Sequence, residues 1–355
     1  MKKILTITLA LAALFCLGAC NKSKAADGKL KVVTTIFPEY DWVKNILGAN
    51  ADHAELTLLL DNGVDLHSYS PTVQDMAKIS VADVFIYVGG ESDEWVEDAL
   101  KTVTNKNIKV INLLEVLGDQ VKEEEVVEGM QEEDEHDHHH HDGEDVHHHD
   151  DDDDDDDHHH EGEEHHHHHD DDNEEEVEYD EHVWLSLRHA QTLCAAITDT
   201  LCTVDKKNAD LYRTNFSAYK AQLAALDNQY ADAVQNAARK TVLFGDRFPF
   251  RYLVDDYGLS YYAAFVGCSA ETEASFKTVA FLSGKVDELA LPTVLQIESG
   301  DGKIASTIIK NSKAKNATVL TLDSMQSVTA KQIADGANYL GIMRENLTVL
   351  KEALN

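Results

Sequence analysis

The chain has 355 residues and a formal net charge of −36 at neutral pH. Of its 66 acidic residues, 28 lie between residues 132 and 181, where no Lys or Arg occurs, so one segment dominates the total charge. This balance excludes nucleic-acid binding, which needs clustered basic residues. The remaining length is sufficient for two domains of ordinary size.

The N-terminus has the layout of a secretory signal. Two lysines precede an apolar run from Ile4 to Leu17 that is too short to span a bilayer comfortably. The sequence Leu-Gly-Ala-Cys that ends at Cys20 looks like a bacterial lipobox, with an ordinary signal peptide and an incidental cysteine as the alternative. We therefore expect a signal peptide over 1–19, an acylated Cys20 and a tether over 20–28. The protein would be exported and lipid-anchored to the outer face of the bacterial cytoplasmic membrane, or held on the periplasmic side of the envelope.

Residues 29–120 alternate between strand and helix patterns. The predicted strands are 29–37, 53–60, 83–90 and 108–114, and the predicted helices are 38–48, 71–82 and 93–103. Such β-α-β-α alternation predicts a largely parallel sheet covered by helices. This region is therefore interpreted as an N-terminal α/β lobe.

An acidic, histidine-rich insertion follows over 121–179. It holds sixteen of the chain's twenty histidines: His136, His138, His139, His140, His141, His147, His148, His149, His158, His159, His160, His165, His166, His167, His168 and His169. Mixed imidazoles and carboxylates indicate transition-metal binding, although such a run can also serve solubility alone. A segment with so little to bury is expected to be disordered, and it cannot impose one ligand geometry. A selective site is therefore expected in the folded parts of the chain.

The rest of the chain predicts the end of the first lobe, a linking helix and a second lobe. These parts are 180–204, 205–239 and 240–355. The predicted strands of the second lobe are 241–245, 259–265, 293–298 and 317–322, and its predicted helices are 250–258, 273–290, 301–314 and 329–354. The predicted fold class is α/β, with two lobes of mainly parallel strands joined by a long rigid helix and a metal site between them.

Candidate ligands occur where strands end, which is where such sheets bind ligands. His67 follows the second strand, His182 stands where the insertion ends, and Glu298 closes a strand of the second lobe. Two imidazoles and a carboxylate form a plausible set of zinc ligands. Asp246, at the end of another strand, is a further candidate.

Three cysteines remain besides Cys20 and the one in the signal peptide. Cys194 and Cys202 lie more than two turns apart on one predicted helix and cannot form a disulfide with each other. In an oxidising compartment, Cys268 could pair with either of them. The alternative is that all three are buried, small and apolar side chains.

Several motifs together resemble one protein family. They are "DLHSYSPTVQDM", "DEHVWLSLRHA", "VFIYVGGESDEWVEDAL", "FRYLVDDYGLSYYA" and "SAETEASFKTVA". They are similar to motifs of the solute-binding lipoproteins of zinc and manganese ABC transporters. The likeness covers the whole mature chain, including the His-rich insertion before the second histidine motif.

The resemblance implies a receptor that captures a metal between two lobes outside the membrane and delivers it to an ABC permease and its ATPase subunit. It implies His67, His182 and Glu298 as ligands, and a monomer held to the membrane by the lipid on Cys20. Two imidazoles favour Zn²⁺, with Mn²⁺ as the second choice. The alternatives are a metal-dependent hydrolase with Asp246 or Glu298 as base, which lacks an H-E-x-x-H helix, and an adhesin or extracellular metal buffer.

One position departs from the family. Where the family carries a third histidine, counting back from Gly258 places Arg247, which has no lone pair to donate to a metal. The third ligand would then be Asp246, water or a histidine of the insertion. Arg247 is expected to pair with Asp255 or Asp256, or with the carboxylate of Glu298.

Overall fold

The computed structural model describes residues 28–49, 51–131, 178–269 and 273–355. The predicted lipidation site Cys20 and all sixteen histidines of the insertion lie outside these ranges. Within them, no helix combines the length and the apolar character that a membrane-spanning segment requires.

The first lobe is a four-stranded sheet flanked by helices. Its elements are β1 (Leu30–Thr34), α1 (Phe37–Leu47), β2 (Ala54–Leu58), α2 (Val73–Ser80), β3 (Val84–Tyr87), α3 (Trp95–Lys101), β4 (Lys109–Asn112) and α4 (Leu113–Leu117). The strand order is β2-β1-β3-β4, and all pairs are parallel. The central strands are apolar because helices cover both faces, and Val32, Val84 and Phe85 are fully buried.

The second lobe repeats this topology. Its elements are β5 (Thr241–Phe248), α7 (Arg251–Tyr257), β6 (Ser260–Val266), α8 (Phe276–Glu288), β7 (Thr293–Gln296), α9 (Lys303–Asn311), β8 (Thr318–Thr321), α10 (Ala330–Ala334) and α11 (Tyr339–Leu354). The order β6-β5-β7-β8 matches that of the first sheet, and again all pairs are parallel. Each lobe thus has one edge at which the carboxyl ends of its strands meet.

Two helices connect the lobes. They are α5 (Leu187–Val204) and α6 (Ala209–Asn236), and the 28 residues of α6 form the long helix between the sheets. The hydroxyl of Ser186 caps α5 by accepting a hydrogen bond from the backbone N–H of His189. A short turn at residues 205–208 separates the two helices.

The C-terminal helix α11 fixes the lobes against each other. The backbone N–H of Tyr339 donates to the carboxylate of Asp41 in the first lobe at 3.0 Å, and the Tyr339 hydroxyl donates to the carbonyl of Trp184 at 2.7 Å. The indole N–H of Trp184 in turn donates to the carbonyl of Ser324 in the second lobe at 2.8 Å. All of these groups are buried, so these contacts resist separation of the lobes.

The prediction of two α/β lobes with parallel sheets is confirmed, while several boundaries differ. The predicted helix 329–354 is divided into α10 and α11, because Gly336 adopts φ +106°, which a helix cannot accommodate. Strand β5 continues to Phe248, three residues past its predicted end, with an irregular register between Phe244 and Arg247. Asp246 and Arg247 therefore lie within this strand and not in the loop after it.

Both flanks of the predicted insertion 121–179 belong to the folded protein. Glu123 and Tyr179 form an antiparallel bridge, and the backbone N–H of Gln131 donates to the carbonyl of Ala264 at 2.9 Å. Met130 is buried. The segment that ends at Gln131 thus packs on the second lobe. Its backbone hydrogen bonds and the buried side chain of Met130 hold it there.

Candidate metal centre

His67 lies in a single turn of 3-10 helix, Leu66–Ser68, in the connection between β2 and α2. The carboxylate of Asp65 accepts a hydrogen bond from the backbone N–H of His67 at 3.1 Å and so fixes the start of this turn. The Nδ1 atom of His67 lies 2.7 Å from the hydroxyl of Ser92 and 3.5 Å from a carboxylate oxygen of Glu181. These contacts occupy Nδ1, so Nε2 remains available to a ligand.

His182 is fully buried, and Asp180 orients it. One carboxylate oxygen of Asp180 accepts from the backbone N–H of His182 at 2.8 Å and lies 3.0 Å from its Nδ1. The hydroxyl of Tyr252 donates to the backbone carbonyl of Asp180 at 2.7 Å, which holds this segment against α7. A carboxylate on Nδ1 is the usual partner of a metal-binding histidine, because it sets the tautomer that leaves Nε2 unprotonated.

The two imidazoles meet through their remaining nitrogens. Nε2 of His67 and Nε2 of His182 are 3.1 Å apart. Burial lowers the pKa of His67 to about 3, with His182 as the next contribution. Burial opposes protonation of His182 too, but the carboxylates of Asp180, Glu181 and Asp65 together outweigh it and raise the pKa of His182 above its ordinary value. The pKa values of the two imidazoles thus move in opposite directions.

Cys268 completes a group of three potential metal donors. Its sulfur and one nitrogen each of His67 and His182 all lie within 4.8 Å of one another, the one such group of three that the described ranges contain. Gly267 allows this approach, because a Cβ at this position would lie 3.0 Å from the His182 ring. Burial and the carboxylate of Glu124 raise the pKa of the Cys268 thiol.

The carboxylate of Asp246 is not part of this group. One of its oxygens accepts from the backbone N–H of Arg247 at 2.9 Å, and the other accepts from the backbone N–H of Ile297 at 3.2 Å. Burial raises its pKa. Asp246 thus joins β5 to the end of β7, and its role as a ligand stays a prediction.

Glu298 also lies outside the group, at the end of β7. Its carboxylate accepts hydrogen bonds from the loop 324–327: from the backbone N–H of Ser324 at 2.7 Å, of Gln326 at 3.1 Å and of Ser327 at 3.4 Å, and from the hydroxyls of both serines. These donors fix the orientation of the carboxylate. As a metal ligand, Glu298 stays a prediction too.

Arg247 reaches across the cleft. Its guanidinium forms an ion pair with Asp65, the residue that caps the His67 turn, and both side chains are largely buried. The predicted partners Asp255, Asp256 and Glu298 are wrong. Both aspartates have other partners. Asp255 pairs with Lys122 and Arg251, and Asp256 accepts from the hydroxyl of Ser186.

The structure also decides between the two interpretations of the cysteines. Cys194, Cys202 and Cys268 are all free thiols, so the disulfide alternative is wrong. Cys194 and Cys202 are buried side chains of α5. Sequence reasoning missed Cys268 as a donor, although its place two residues after β6, beside a glycine, is the signal that could have revealed it.

Several known proteins, among them zinc-binding ones, are similar to this chain in sequence and fold. The zinc-binding lipoprotein AdcA of Streptococcus pneumoniae serotype 4 is 32% identical over 356 residues, covering 99% of this chain and 61% of AdcA. The high-affinity zinc uptake system protein ZnuA of Bacillus subtilis is 29% identical, covering 95% of this chain and 93% of ZnuA. The crystal structure of the Zn(II)-bound ZnuA-like domain of S. pneumoniae AdcA has a TM-score of 0.64 at 26% identity, covering 92% of this chain and 99% of that domain.

The chain spans about three fifths of the length of the AdcA proteins that it matches. The resemblance inferred from the sequence motifs is confirmed, and at the level of the family so is the prediction of a binding protein instead of an enzyme. The family described as "Zinc-uptake complex component A periplasmic" matches residues 32–353. This chain therefore belongs to that family.

Proposed function

We propose that this protein is the extracytoplasmic receptor of a zinc importer, which binds one Zn²⁺ tightly between its lobes. The observation that carries this proposal is the pair His67 and His182, with Nε2 atoms 3.1 Å apart and both Nδ1 atoms held by hydrogen-bonding partners. Two nitrogens that bind one tetrahedral zinc ion lie about 3.3 Å apart, since Zn–N distances are about 2.0–2.1 Å. The imidazoles thus have the spacing that binding requires.

The donor types favour zinc over manganese. Imidazole suits zinc, whereas manganese prefers carboxylate and water oxygens. The relatives AdcA and ZnuA are also named for zinc binding and zinc uptake. Glu298 is retained as a predicted oxygen donor, since ligating carboxylates are commonly held by hydrogen bonds of the kind its loop supplies.

The proposed site takes its ligands from both lobes, so that a movement of one lobe relative to the other would release the ion to a partner. His67 and His182 belong to the first lobe, while Cys268 and Glu298 belong to the second. The partner would be an ABC permease with its ATPase subunit, and the lipid on Cys20 would hold the protein, as a monomer, beside that permease. The His-rich insertion would collect zinc near the pocket, because its negative charge raises the local concentration of cations.

Isothermal titration with zinc tests this function. The full mature chain should show one tight site plus weaker binding by the insertion. His67→Ala and His182→Ala should each abolish the tight site and leave the weaker binding. His53→Ala is the matched control, since His53 lies elsewhere in the first lobe, with its Nε2 2.9 Å from the hydroxyl of Tyr212.

Two results would contradict the proposal. Retention of the tight site in both pocket variants would mean that the insertion is the principal site, as in an extracellular metal buffer. Tighter binding of manganese than of zinc in a parallel titration would assign the receptor to the other metal.

A further inference from the structure

We propose that Cys268 is the third metal ligand and binds as a thiolate, so that the pocket is a two-histidine, one-cysteine centre. The proposal rests on the function proposed above and deepens it, because it specifies the ligand chemistry of the same pocket. It assigns to a residue of β6's exit loop the position that a histidine would otherwise hold.

The first support is geometric. The sulfur of Cys268 is within 4.8 Å of a nitrogen of both histidines. With Zn–S near 2.3 Å and Zn–N near 2.0–2.1 Å, a bound ion would place sulfur and nitrogen about 3.5 Å apart. Since each separation is at most 4.8 Å, the sulfur would have to move by no more than about 1.3 Å relative to either nitrogen.

The second support is the fate of the neighbouring candidates. Arg247 cannot donate an electron pair, and its guanidinium forms an ion pair with Asp65. Asp246 uses one oxygen for each of two backbone N–H groups. Among these three residues, only Cys268 has its donor atom beside both histidines.

The third support is the way in which the exit loop is held. The carboxylate of Glu124 accepts from the backbone N–H of Cys268 at 3.0 Å, and the backbone N–H of Glu124 donates to the carbonyl of Glu178 at 2.9 Å. The loop that carries the thiol is thus fixed by the ordered flanks of the insertion. This arrangement holds the loop beside the pocket before any metal arrives, which limits the entropy cost of the remaining movement.

Binding through sulfur determines which ions the pocket accepts. As the metal binds, the thiol proton leaves for the solvent and the sulfur electron pair forms the metal–sulfur bond, so no oxidant or reductant is needed. Thiolate ligands favour zinc and other borderline or soft cations, and they disfavour manganese and magnesium. The arginine that replaces the family's histidine is therefore compensated by a cysteine in the neighbouring loop.

Cobalt spectroscopy on the full mature chain, kept reduced, tests the proposal. Co²⁺ occupies zinc sites, and its thiolate complexes show an intense near-ultraviolet charge-transfer band that imidazole and carboxylate ligands do not produce. One equivalent of Co²⁺ should give this band in the wild type and in the control Cys202→Ser. The band should be absent in Cys268→Ser, and zinc affinity there should fall by about 10-fold or more.

Cys268→His separates ligation from folding. It should lose the charge-transfer band and still bind zinc tightly, because a histidine restores a third nitrogen donor. Tight binding of Co²⁺ by the wild type without the band would overturn the thiolate ligand and leave the receptor function standing. A band that persists in Cys268→Ser would overturn the assignment to this residue. Absence of any tight site in the wild type would overturn both proposals.

Discussion

The two lobes have the same strand topology but contribute differently to the metal centre. The first lobe presents a pair of imidazoles whose outer nitrogens are already fixed by Ser92 and Asp180. The second lobe presents one sulfur from a loop and carboxylates that its own backbone N–H groups hold. A repeated fold can thus divide a site into a preorganised half and a half that completes it.

The ion pair between Asp65 and Arg247 connects the two halves. Asp65 caps the turn that carries His67, while Arg247 lies on the irregular end of β5. At the position of the family's third histidine, this chain has an arginine that forms an ion pair across the cleft. This ion pair connects the second lobe to the first. The second lobe supplies its proposed metal donor, Cys268, from another loop.

The largest expected effect is that of pH on zinc affinity. The lowered pKa of His67 means that it has no proton to displace, whereas the raised pKa values of His182 and the Cys268 thiol mean that each must release one. Affinity of the tight site should therefore fall about 100-fold for each unit of decreasing pH below the ordinary histidine pKa of about 6.5, down to about pH 5. Competition with a chelator of known affinity measures this slope. A slope equivalent to three protons would contradict the neutral state of His67.

The next effect concerns the orienting carboxylate of the first lobe. Asp180→Asn should weaken zinc binding by about 10- to 100-fold, because the amide no longer fixes the His182 tautomer. The control is Asp227→Asn. Asp227 lies on α6, and its carboxylate accepts from the hydroxyl of Tyr257 on α7. Equal affinities for these two variants in a zinc titration would show that the first lobe is not preorganised by Asp180.

A smaller effect distinguishes the two carboxylates of the second lobe. Glu298→Gln should weaken zinc binding by about 10-fold, since it replaces a charged oxygen donor with a neutral amide. Asp246→Asn should change affinity by less than about 3-fold, because Cys268 occupies the position for which Asp246 was a candidate. Titration of both variants under one condition provides the comparison, and a larger loss in Asp246→Asn would reverse the assignment.

The smallest effect on the pocket should come from the insertion. Because residues up to Gln131 and from Glu178 onward belong to the fold, the deletion should cover 132–177 and spare Glu124. The tight site should keep its affinity within about 3-fold, while the weak binding disappears and capture of scarce zinc slows. Stopped-flow mixing at two salt concentrations measures the capture rate. Loss of the tight site would mean that a histidine of the insertion is a ligand.

Much of the fold and two residues of the candidate site could be predicted from the sequence. Apolar runs and helix periodicity indicated all eight strands, and the rule that ligands bind beyond strand ends singled out His67 and His182. These residues follow from local patterns, since each is placed by the strand or segment directly before it. The family resemblance then supplied the proposed function.

The rest of the site depends on contacts between segments that are distant in the chain. The partner of Arg247 is Asp65, 182 residues away, and no local pattern indicates that pairing. Cys268 was interpreted as a disulfide partner or a buried apolar side chain, because the type of a residue does not reveal which ring it faces. The ordered flank that ends at Gln131 was assigned to the insertion, because its acidic composition hides the buried Met130.

X-ray absorption at the zinc edge tests most directly that the two lobes share one ion in the pocket. The sample would be the chain lacking 132–177, loaded with one equivalent of zinc. We expect two nitrogen ligands at about 2.0 Å and one sulfur at about 2.3 Å, with an oxygen completing the tetrahedron. A shell of nitrogen and oxygen alone, unchanged in Cys268→Ser, would contradict the contribution of the second lobe's thiolate.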